Sequence, residues 1–192
     1  GDAGGALGAA LALWHKELKQ ERLTPLKDNM RGSYLGPSFN NDEILDKLTT
    51  LGADFEKLSE EDLLKITAKE LSKEKIIGWF QGRMEFGPRA LGARSIIADP
   101  RSETMQKKLN LKVKFRESFR PFAPSVIRED LSEWFDLDCD SPYMLLVADV
   151  KNNIKKEMTK DEKKLFGIKK LNVKRSDIPA VTHVDYSARI QT

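Results

Sequence analysis

The amino-acid sequence predicts an α/β fold, with helices packed against a sheet. Strand-like and helical patterns alternate along most of the chain, which is typical of this class. Hydrophobic residues make up 40% of the 192 residues, enough to form a core. The longest apolar stretch, near Ala6 to Trp14, is much shorter than the roughly 20 residues of a membrane span. A single cysteine, Cys139, excludes an internal disulfide. We therefore expect a cytoplasmic protein.

The first part of the chain predicts one apolar helix followed by a linker. Small and apolar residues run densely from Ala6 to Trp14. A helix that is apolar on nearly all sides is normally buried in a larger domain. Residues 23–41 contain two prolines and two glycines with little periodicity, which indicates a linker.

Two amphipathic helices are expected next. The first covers residues 41–51, where Ile44, Leu45 and Leu48 share one face. The second begins at Ser59, whose hydroxyl can cap the free amides while Asp62 completes a pair that resembles a capping box.

The remaining elements alternate in type. We predict a buried strand at 76–80 and further strands at 95–98, 121–127, 143–150, 180–184 and 187–191, with helices at 102–111 and 130–135. Residues 151–176 are rich in lysine and lack a clear apolar face. This stretch is expected to be a solvated insertion.

Positive charge is concentrated in one part of the chain. Residues 83–128 hold seven arginines and four lysines against four acidic residues, a local charge of +7, whereas the whole chain carries +3. Such a concentration favours a polyanionic ligand, whether nucleotide, phosphate or nucleic acid.

The first motif covers residues 81–95 and contains Arg83, Arg89 and Arg94. Spacings of six and five residues cannot place three side chains on one helix face, so the arginines are expected around a loop. Glycines allow close approach of the backbone to a ligand, and guanidinium groups suit phosphate or carboxylate oxygens. Glu85 is the natural partner for one of them. The alternative is a glycine turn with surface arginines.

The second motif covers residues 114–125, where basic residues alternate with phenylalanine and proline. We expect Phe115, Phe119 and Phe122 in the core, and Lys114 and Arg120 at a ligand. The other interpretation is a charge pattern on a strand edge.

The third motif covers residues 179–191 and contains His183 and Asp185. On a strand these two side chains would point the same way and could form an acid–base pair. A structural hydrogen-bonding histidine is the alternative. The sequence has no P-loop, no dinucleotide-binding glycine fingerprint and no serine nucleophile elbow. With two histidines and one cysteine, it also argues against a zinc site made by this chain alone.

The three motifs in this order, at residues 78–101, 114–126 and 179–192, resemble the carbamoyltransferase family of antibiotic-tailoring and nodulation-factor enzymes. Residues 1–10 resemble the last helix of that family's larger, Kae1-like domain. The resemblance implies a C-terminal helix of that domain at 1–22, a linker at 23–41 and a YrdC-like domain at 42–192, with a twisted mixed sheet flanked by helices. The family pattern continues past Thr192, so truncation is expected at both ends.

The resemblance also implies a two-stage activity. The YrdC-like domain would form carbamoyl adenylate from carbamoyl phosphate and ATP, with magnesium on the phosphates. The Kae1-like domain, which holds iron, would transfer the carbamoyl group to a hydroxyl of an acceptor. The fragment alone is expected to be inactive or weakly active, and neither a membrane nor a nucleic acid is expected as its partner. The alternative is a YrdC-like nucleotide- or RNA-binding module without carbamoyl transfer.

Site residues follow from the same resemblance. Arg89, Lys114 and Arg120 are expected to be catalytic, holding carbamoyl phosphate and the ATP phosphates in a single cleft. Six others are expected to bind nucleotide or phosphate: Arg83, Arg94, Ser95, Arg116, His183 and Arg189. Asp2 matches an aspartate that, with two histidines far upstream, holds the iron. Tyr186 stands where family members usually carry glycine, which leaves the geometry of that turn open.

Overall fold

The structure is a computed structural model that describes residues 2–23 and 28–192. In these residues seven α-helices and four short strands confirm the predicted α/β class. The chain divides into two compact units. The first comprises Gly1–Lys57 and Gly78–Ser95, and the second comprises Leu58–Ile77 and Ile96–Thr192.

The first unit begins with the predicted apolar helix. Helix α1 spans Asp2–Ala12 and continues as one π-helical turn, Leu13–Glu17. Its large apolar side chains are exposed, among them Leu11 and Trp14. Part of the predicted linker, residues 24–27, lies outside the described residues, and a 3₁₀ turn at Arg31–Ser33 follows it.

Helices α2 and α3 confirm the two predicted amphipathic helices. Helix α2 spans Asn41–Thr50 and begins with a full capping box, in which Asn40 Oδ1 accepts the Glu43 N–H at 2.9 Å and Glu43 Oε2 accepts the Asn40 N–H at 2.7 Å. Helix α3, in the second unit, spans Glu60–Ser72. Ser59 Oγ accepts the Asp62 N–H at 3.1 Å, as the sequence predicts.

The strands form two small sheets in the described structure. Strand β1 (Ile77–Phe80) pairs with β2 (Arg94–Ile97), which confirms both predicted strands. Strand β1 is not buried, however, because its Phe80 is 50% exposed. Strand β3 (Val147–Asp149) runs antiparallel to β4 (Ser187–Arg189), with Ala148 opposite Ala188.

The remaining helices are short. Helix α4 spans Met105–Lys112, and a 3₁₀ turn at Arg128–Asp130 leads into α5 at Leu131–Trp134. The lysine-rich insertion contains helices α6 (Lys160–Lys163) and α7 (Ile168–Leu171). None of the helices in the described ranges is long and apolar enough to cross a membrane.

Two predicted strands are wrong and a third is shorter than expected. Residues 121–127 form only one isolated parallel bridge, Ser125 to Gln191, because Pro121 and Pro124 have no N–H to donate to a ladder. Residues 179–181 form a turn in place of the strand predicted at 180–184. The strand predicted at 143–150 is reduced to β3, since Met144 has a φ of 53° and interrupts the extended backbone.

The core of the second unit consists of two clusters. The larger contains Leu131 and Phe135 of the α5 region together with Ala188 and Ile190 at β4. The smaller contains Met105, Leu109 and Ala180. Phe122 packs against both clusters, as the sequence predicts for a core residue.

The other two phenylalanines of the second motif were placed wrongly by the sequence. Phe115 is 84% exposed and has a φ of 49°, and Phe119 is 41% exposed. Three residues after the end of α4, Phe115 itself has a left-handed backbone, and its side chain lies in solvent instead of in the core.

Candidate functional site

In the first unit, Glu85 organises the loop at residues 81–95, called here the arginine loop. Its side chain is fully buried. One carboxylate oxygen, Oε1, accepts the N–H groups of Leu91 at 2.6 Å and Ala93 at 2.8 Å, and Oε2 lies 3.1 Å from Arg94 Nε. Burial by itself would raise the pKa of Glu85, but these hydrogen bonds outweigh it and lower the pKa. Glu85 therefore stays ionised and ties three parts of the loop together.

Further hydrogen bonds restrict the same loop. Tyr34 Oη donates to the Leu91 carbonyl at 2.5 Å, and Ser95 Oγ accepts the Gly92 N–H at 3.0 Å. Arg94 Nη2 donates to the Gly87 carbonyl at 2.6 Å. The φ angles of Gly87 and Gly92, 112° and 115°, lie in a region that L side chains rarely adopt. Arg94 and Ser95 thus stabilise the conformation of the loop.

The two other arginines of this loop differ in their surroundings. Arg83 Nη1 donates to the Gly36 carbonyl at 2.5 Å. Arg89 is exposed and has neither a hydrogen bond nor an ion pair with any described residue. Of the three arginines, Arg89 is the one without a partner among the described residues.

In the second unit, two amides of α4 hold the loop at residues 113–121, called here the basic loop. Asn110 is fully buried, and its Nδ2 donates to the carbonyls of Ser118 at 3.1 Å and Arg120 at 2.8 Å. Its Oδ1 accepts Arg116 Nε at 2.6 Å. Gln106 Nε2 adds bonds to the carbonyls of Phe119 at 3.2 Å and Arg120 at 3.3 Å. Asn110 and Gln106 therefore hold the loop through its backbone carbonyls, and Asn110 also holds the Arg116 side chain, while Lys114 and Arg120 are exposed.

Two cations of the basic loop, Arg116 and Arg120, lie close enough to repel each other. The Arg116 guanidinium lies 5.0 Å from the centre of the Phe122 ring. Burial lowers the pKa of Arg116, and the nearby charge of Arg120 lowers it further. Arg120 Nη1 lies 3.8 Å from Glu117 Oε2, and both side chains are more than half exposed. Such an exposed ion pair contributes little to stability. Lys114 is exposed and makes no ion pair within the described chain. An anionic ligand would relieve the repulsion between Arg116 and Arg120.

The third motif forms a tight turn ahead of β4. His183 and Asp185 are bridged by Ser187: His183 Nδ1 lies 3.0 Å from Ser187 Oγ, and Ser187 Oγ donates to Asp185 Oδ1 at 2.7 Å. Burial lowers the pKa of His183, Asp185 opposes this effect and the Arg189 charge adds to it. Tyr186 has a φ of 67°, which explains why glycine would suit this position. The geometry favours the structural interpretation of His183 over a direct acid–base pair.

A cleft of about 610 Å³ opens in the second unit next to this turn. Its walls come from four segments: 103–107, 118–121, 171–175 and 179–185. Ser118, Phe119 and Pro121 of the basic loop line it, and so does His183. The other predicted site residues of this unit are not among its described lining residues: Lys114, Arg116, Arg120 and Arg189.

Arg175 is the most deeply buried charged group of the cleft wall, at 4% exposure. Its guanidinium donates to the carbonyls of Lys170, Leu171 and Val173, at and just after the end of α7. Burial lowers the pKa of Arg175. Neither Arg175 nor the positioning amides Asn110 and Gln106 were predicted, because single polar residues near a helix end form no pattern in a sequence.

The predicted iron ligand, Asp2, lies at the start of the chain. Asp2 begins α1, and its side chain lies outside the described part of the structure. Across the described residues, no three His, Cys, Asp or Glu side chains are grouped so that they could hold a metal ion. In electrostatic terms, the structure brings Arg116 close to Arg120 and His183 close to Arg189.

Comparison with known proteins gives a consistent result. The family model described as "Carbamoyltransferase C-terminus" matches residues 68–192. An uncharacterised protein of Synechocystis sp. is 57% identical over the whole chain, which covers 32% of that protein. Nodulation protein NolNO of Sinorhizobium fredii is 40% identical over the whole chain and 25% of its own length. The 3'-hydroxymethylcephem-O-carbamoyltransferase of Amycolatopsis lactamdurans is 32% identical over 85% of the chain and 30% of its own length. The chain thus spans about a third or less of these relatives.

Proposed function

Because the chain belongs to the carbamoyltransferase family, we propose that it supplies the carbamoyl-activating step of a longer O-carbamoyltransferase. In this step water removes the phosphoryl group of carbamoyl phosphate, which leaves carbamate and inorganic phosphate. A carbamate oxygen then attacks the α-phosphorus of ATP, and the bond to the departing pyrophosphate breaks. The product is carbamoyl adenylate.

The observation that carries this proposal is a set of exposed cations on two loops with fixed backbones. Arg89 lies on the arginine loop, which the buried Glu85 holds. Lys114 and Arg120 lie on the basic loop, which Asn110 holds. Adenylate formation needs no nucleophile from the protein, so catalysis consists of positioning the substrates and stabilising charge on phosphoryl oxygens. Cations on loops whose backbones are fixed before the ligand arrives suit this task.

The other predicted residues take secondary roles in the proposal. Arg116, beside Arg120, adds positive charge near the phosphates, and Arg189 does so near His183. Arg83, Arg94 and Ser95 shape the arginine loop rather than binding phosphate directly, since each has a partner within the protein. We expect magnesium to accompany ATP, held mainly by the phosphates.

Iron does not enter the chemistry that we assign to this chain. Asp2 could supply at most one ligand, and the described residues offer no cluster that would complete a site. Transfer of the carbamoyl group to an acceptor hydroxyl is proposed for the part of the longer relatives that this chain does not cover. The residues that recognise the acceptor are proposed to lie in the same part.

The experiment that tests the proposal is isotope exchange between labelled pyrophosphate and ATP in the presence of carbamoyl phosphate. It is run on this chain and on the chain extended to the length of its relatives. We expect exchange in the extended protein and a loss of about 10²–10³-fold in Arg120→Ala and in Lys114→Ala, by analogy with other donors to developing negative charge. Lys112→Ala is the matched control, because Lys112 is an exposed lysine at the end of α4, two residues before Lys114. Exchange that is equal in all three variants would remove Lys114 and Arg120 from the mechanism.

The concentration of positive charge at residues 83–128 supports one other candidate, an RNA-binding module. Binding through many phosphates weakens steeply with salt, with a slope that grows with the number of contacts. A mononucleotide site would show a shallower slope. Titration of the chain with AMP and with a short RNA at several salt concentrations separates the two candidates.

A further inference from the structure

His183 is a member of a hydrogen-bonded chain that determines which ring nitrogen carries its proton. The hydroxyl of Ser187 has a single hydrogen, and it is donated to Asp185 Oδ1 at 2.7 Å. The Ser187 N–H donates to the same oxygen at 3.1 Å, and these bonds lower the pKa of Asp185, so the acceptor is an ionised carboxylate. Since the hydroxyl has no second hydrogen, the 3.0 Å contact with His183 Nδ1 requires an Nδ1–H donor. The neutral imidazole therefore has its lone pair on Nε2.

Protonation of the second nitrogen is disfavoured by the surroundings. Burial lowers the pKa of His183, and the positive charge of Arg189 adds to this effect against the opposing charge of Asp185. The same cleft wall carries Lys107, Lys174 and Arg175, and Lys174 is paired with Glu103 at 2.5 Å. His183 is thus a neutral hydrogen-bond acceptor at neutral pH.

The acceptor atom is available to a ligand. His183 lines the cleft of about 610 Å³, and Nε2 has no hydrogen-bond partner among the described residues. Because Nδ1 contacts Ser187 in its own turn, Nε2 is the ring nitrogen left for a ligand. Phe119 and Pro179 line the same cleft and offer apolar surface that suits a planar group.

We propose that this cleft is a ligand site in which His183 Nε2 accepts a hydrogen bond from an –NH₂ group conjugated to a carbonyl or an aromatic ring. The inference rests on the proposed function, and it gives His183, which the sequence predicts to bind nucleotide or phosphate, the role of a neutral hydrogen-bond acceptor for an amino group. Two substrates carry such a group: the carbamoyl moiety of carbamoyl phosphate and the adenine of ATP.

The test uses two pairs of ligands that differ in the amino group. Carbamoyl phosphate is compared with acetyl phosphate, and AMP with inosine monophosphate, by calorimetry on the chain. We expect one pair to differ about 3- to 10-fold in affinity, as loss of one neutral hydrogen bond implies. The pair that differs identifies the source of the amino group. Equal affinities within both pairs would overturn the inference.

Two substitutions separate the two ring nitrogens. In His183→Asn the amide can still donate to Ser187 but reaches no further, so the acceptor at Nε2 is lost. In His183→Gln the longer side chain can place its carbonyl oxygen near the Nε2 position. We expect the discrimination to vanish in the asparagine variant and to survive in part in the glutamine variant. Discrimination that persists in the asparagine variant would contradict the proposal.

A spectroscopic measurement tests the tautomer without any ligand. Nitrogen NMR of the labelled chain at neutral pH should show Nδ1 of His183 protonated and Nε2 unprotonated, and the opposite tautomer would overturn the inference. The NMR result is independent of catalysis.

If the amino group is discriminated but pyrophosphate exchange fails in the extended protein, the proposed function falls and the ligand site stands. If pyrophosphate exchange occurs but neither amino group is discriminated, the proposed function stands and the ligand-site inference falls.

Discussion

Replacement of Asn110 by alanine tests how the basic loop is held. The Asn110 side chain makes three hydrogen bonds from a fully buried position, two to the backbone carbonyls of Ser118 and Arg120 and one from the Arg116 guanidinium. A neutral hydrogen bond contributes about 1 kcal/mol, and one to a charged group about 2 kcal/mol. The carbonyl of Arg120 keeps a partner in the variant, because Gln106 Nε2 also donates to it at 3.3 Å. We therefore expect Asn110→Ala to lower the free energy of unfolding by about 3 kcal/mol.

The assay is urea unfolding followed by circular dichroism, with the slope compared between variants so that a change in the unfolded state is recognised. Asn153→Ala is the matched control, since Asn153 is exposed in the lysine-rich insertion and makes no side-chain hydrogen bond in the described structure. It should change the free energy of unfolding by less than about 0.5 kcal/mol. Gln106→Ala, which loses two longer bonds from a less buried position, should fall between the two. A cost for Asn110→Ala no larger than that of the control would refute the role assigned to this amide.

Three other predictions concern the loops and the charge. Glu85→Gln should lower the free energy of unfolding by about 2 kcal/mol at pH 7, because the carboxylate accepts two N–H groups and faces Arg94. The pKa of Glu85 is lowered in the folded state, so this stabilisation is present above the ordinary pKa of about 4.3 and is lost as the pH falls through the lowered value. The difference between wild type and variant in urea titrations should shrink below about pH 4; a difference that stays constant would argue against an ionised Glu85. Phe115→Asn should stabilise the chain by about 1 kcal/mol in thermal unfolding, since asparagine tolerates a positive φ and Phe115 buries little surface. Phe119→Asn, with no such strain to relieve, should give no gain. Finally, AMP binding measured by calorimetry should weaken only modestly between low and moderate salt, and a steep dependence would favour the nucleic-acid candidate.

The elements that the sequence predicted correctly are those specified by neighbouring residues. Helix α3 begins where Ser59 and Asp62 predict, because a cap depends on residues only three apart. The strands that become β1 and β2, and helix α4, were also predicted close to their observed bounds. Local spacing carries the information needed for such elements.

The wrong predictions have a common cause in long-range or unusual backbone geometry. Residues 121–127 have the composition of a strand, yet their prolines leave only one bridge to Gln191. Phe115 has the composition of a core residue, yet a left-handed backbone turns it to solvent. Neither outcome can be read from a hydrophobic pattern.

The candidate site divides in the same way. The motifs around Arg89, Arg120 and His183 were recognised from the sequence, and the match of residues 68–192 to the carbamoyltransferase C-terminus confirms the family that they indicate. Their meeting in a single cleft stays a prediction. Of the residues that hold them, Glu85 was predicted as the partner of one arginine, whereas Asn110 gained its assignment only from the structure.

The sequence alone determined the α/β class, the family and the types of side chain available for binding phosphate, because these depend on composition and on short spacings along the chain. The tertiary structure decided which cations are committed to the protein and which are left for a ligand. Arg94 is held by Glu85 and Arg116 by Asn110, whereas Arg89 has no partner among the described residues. The tertiary structure also decided that the Ser187 hydroxyl bridges the side chains of His183 and Asp185. Hydrogen bonds are directional and reach about 3 Å, so which side chains pair depends on how the backbone places them and not on how far apart they stand in the sequence.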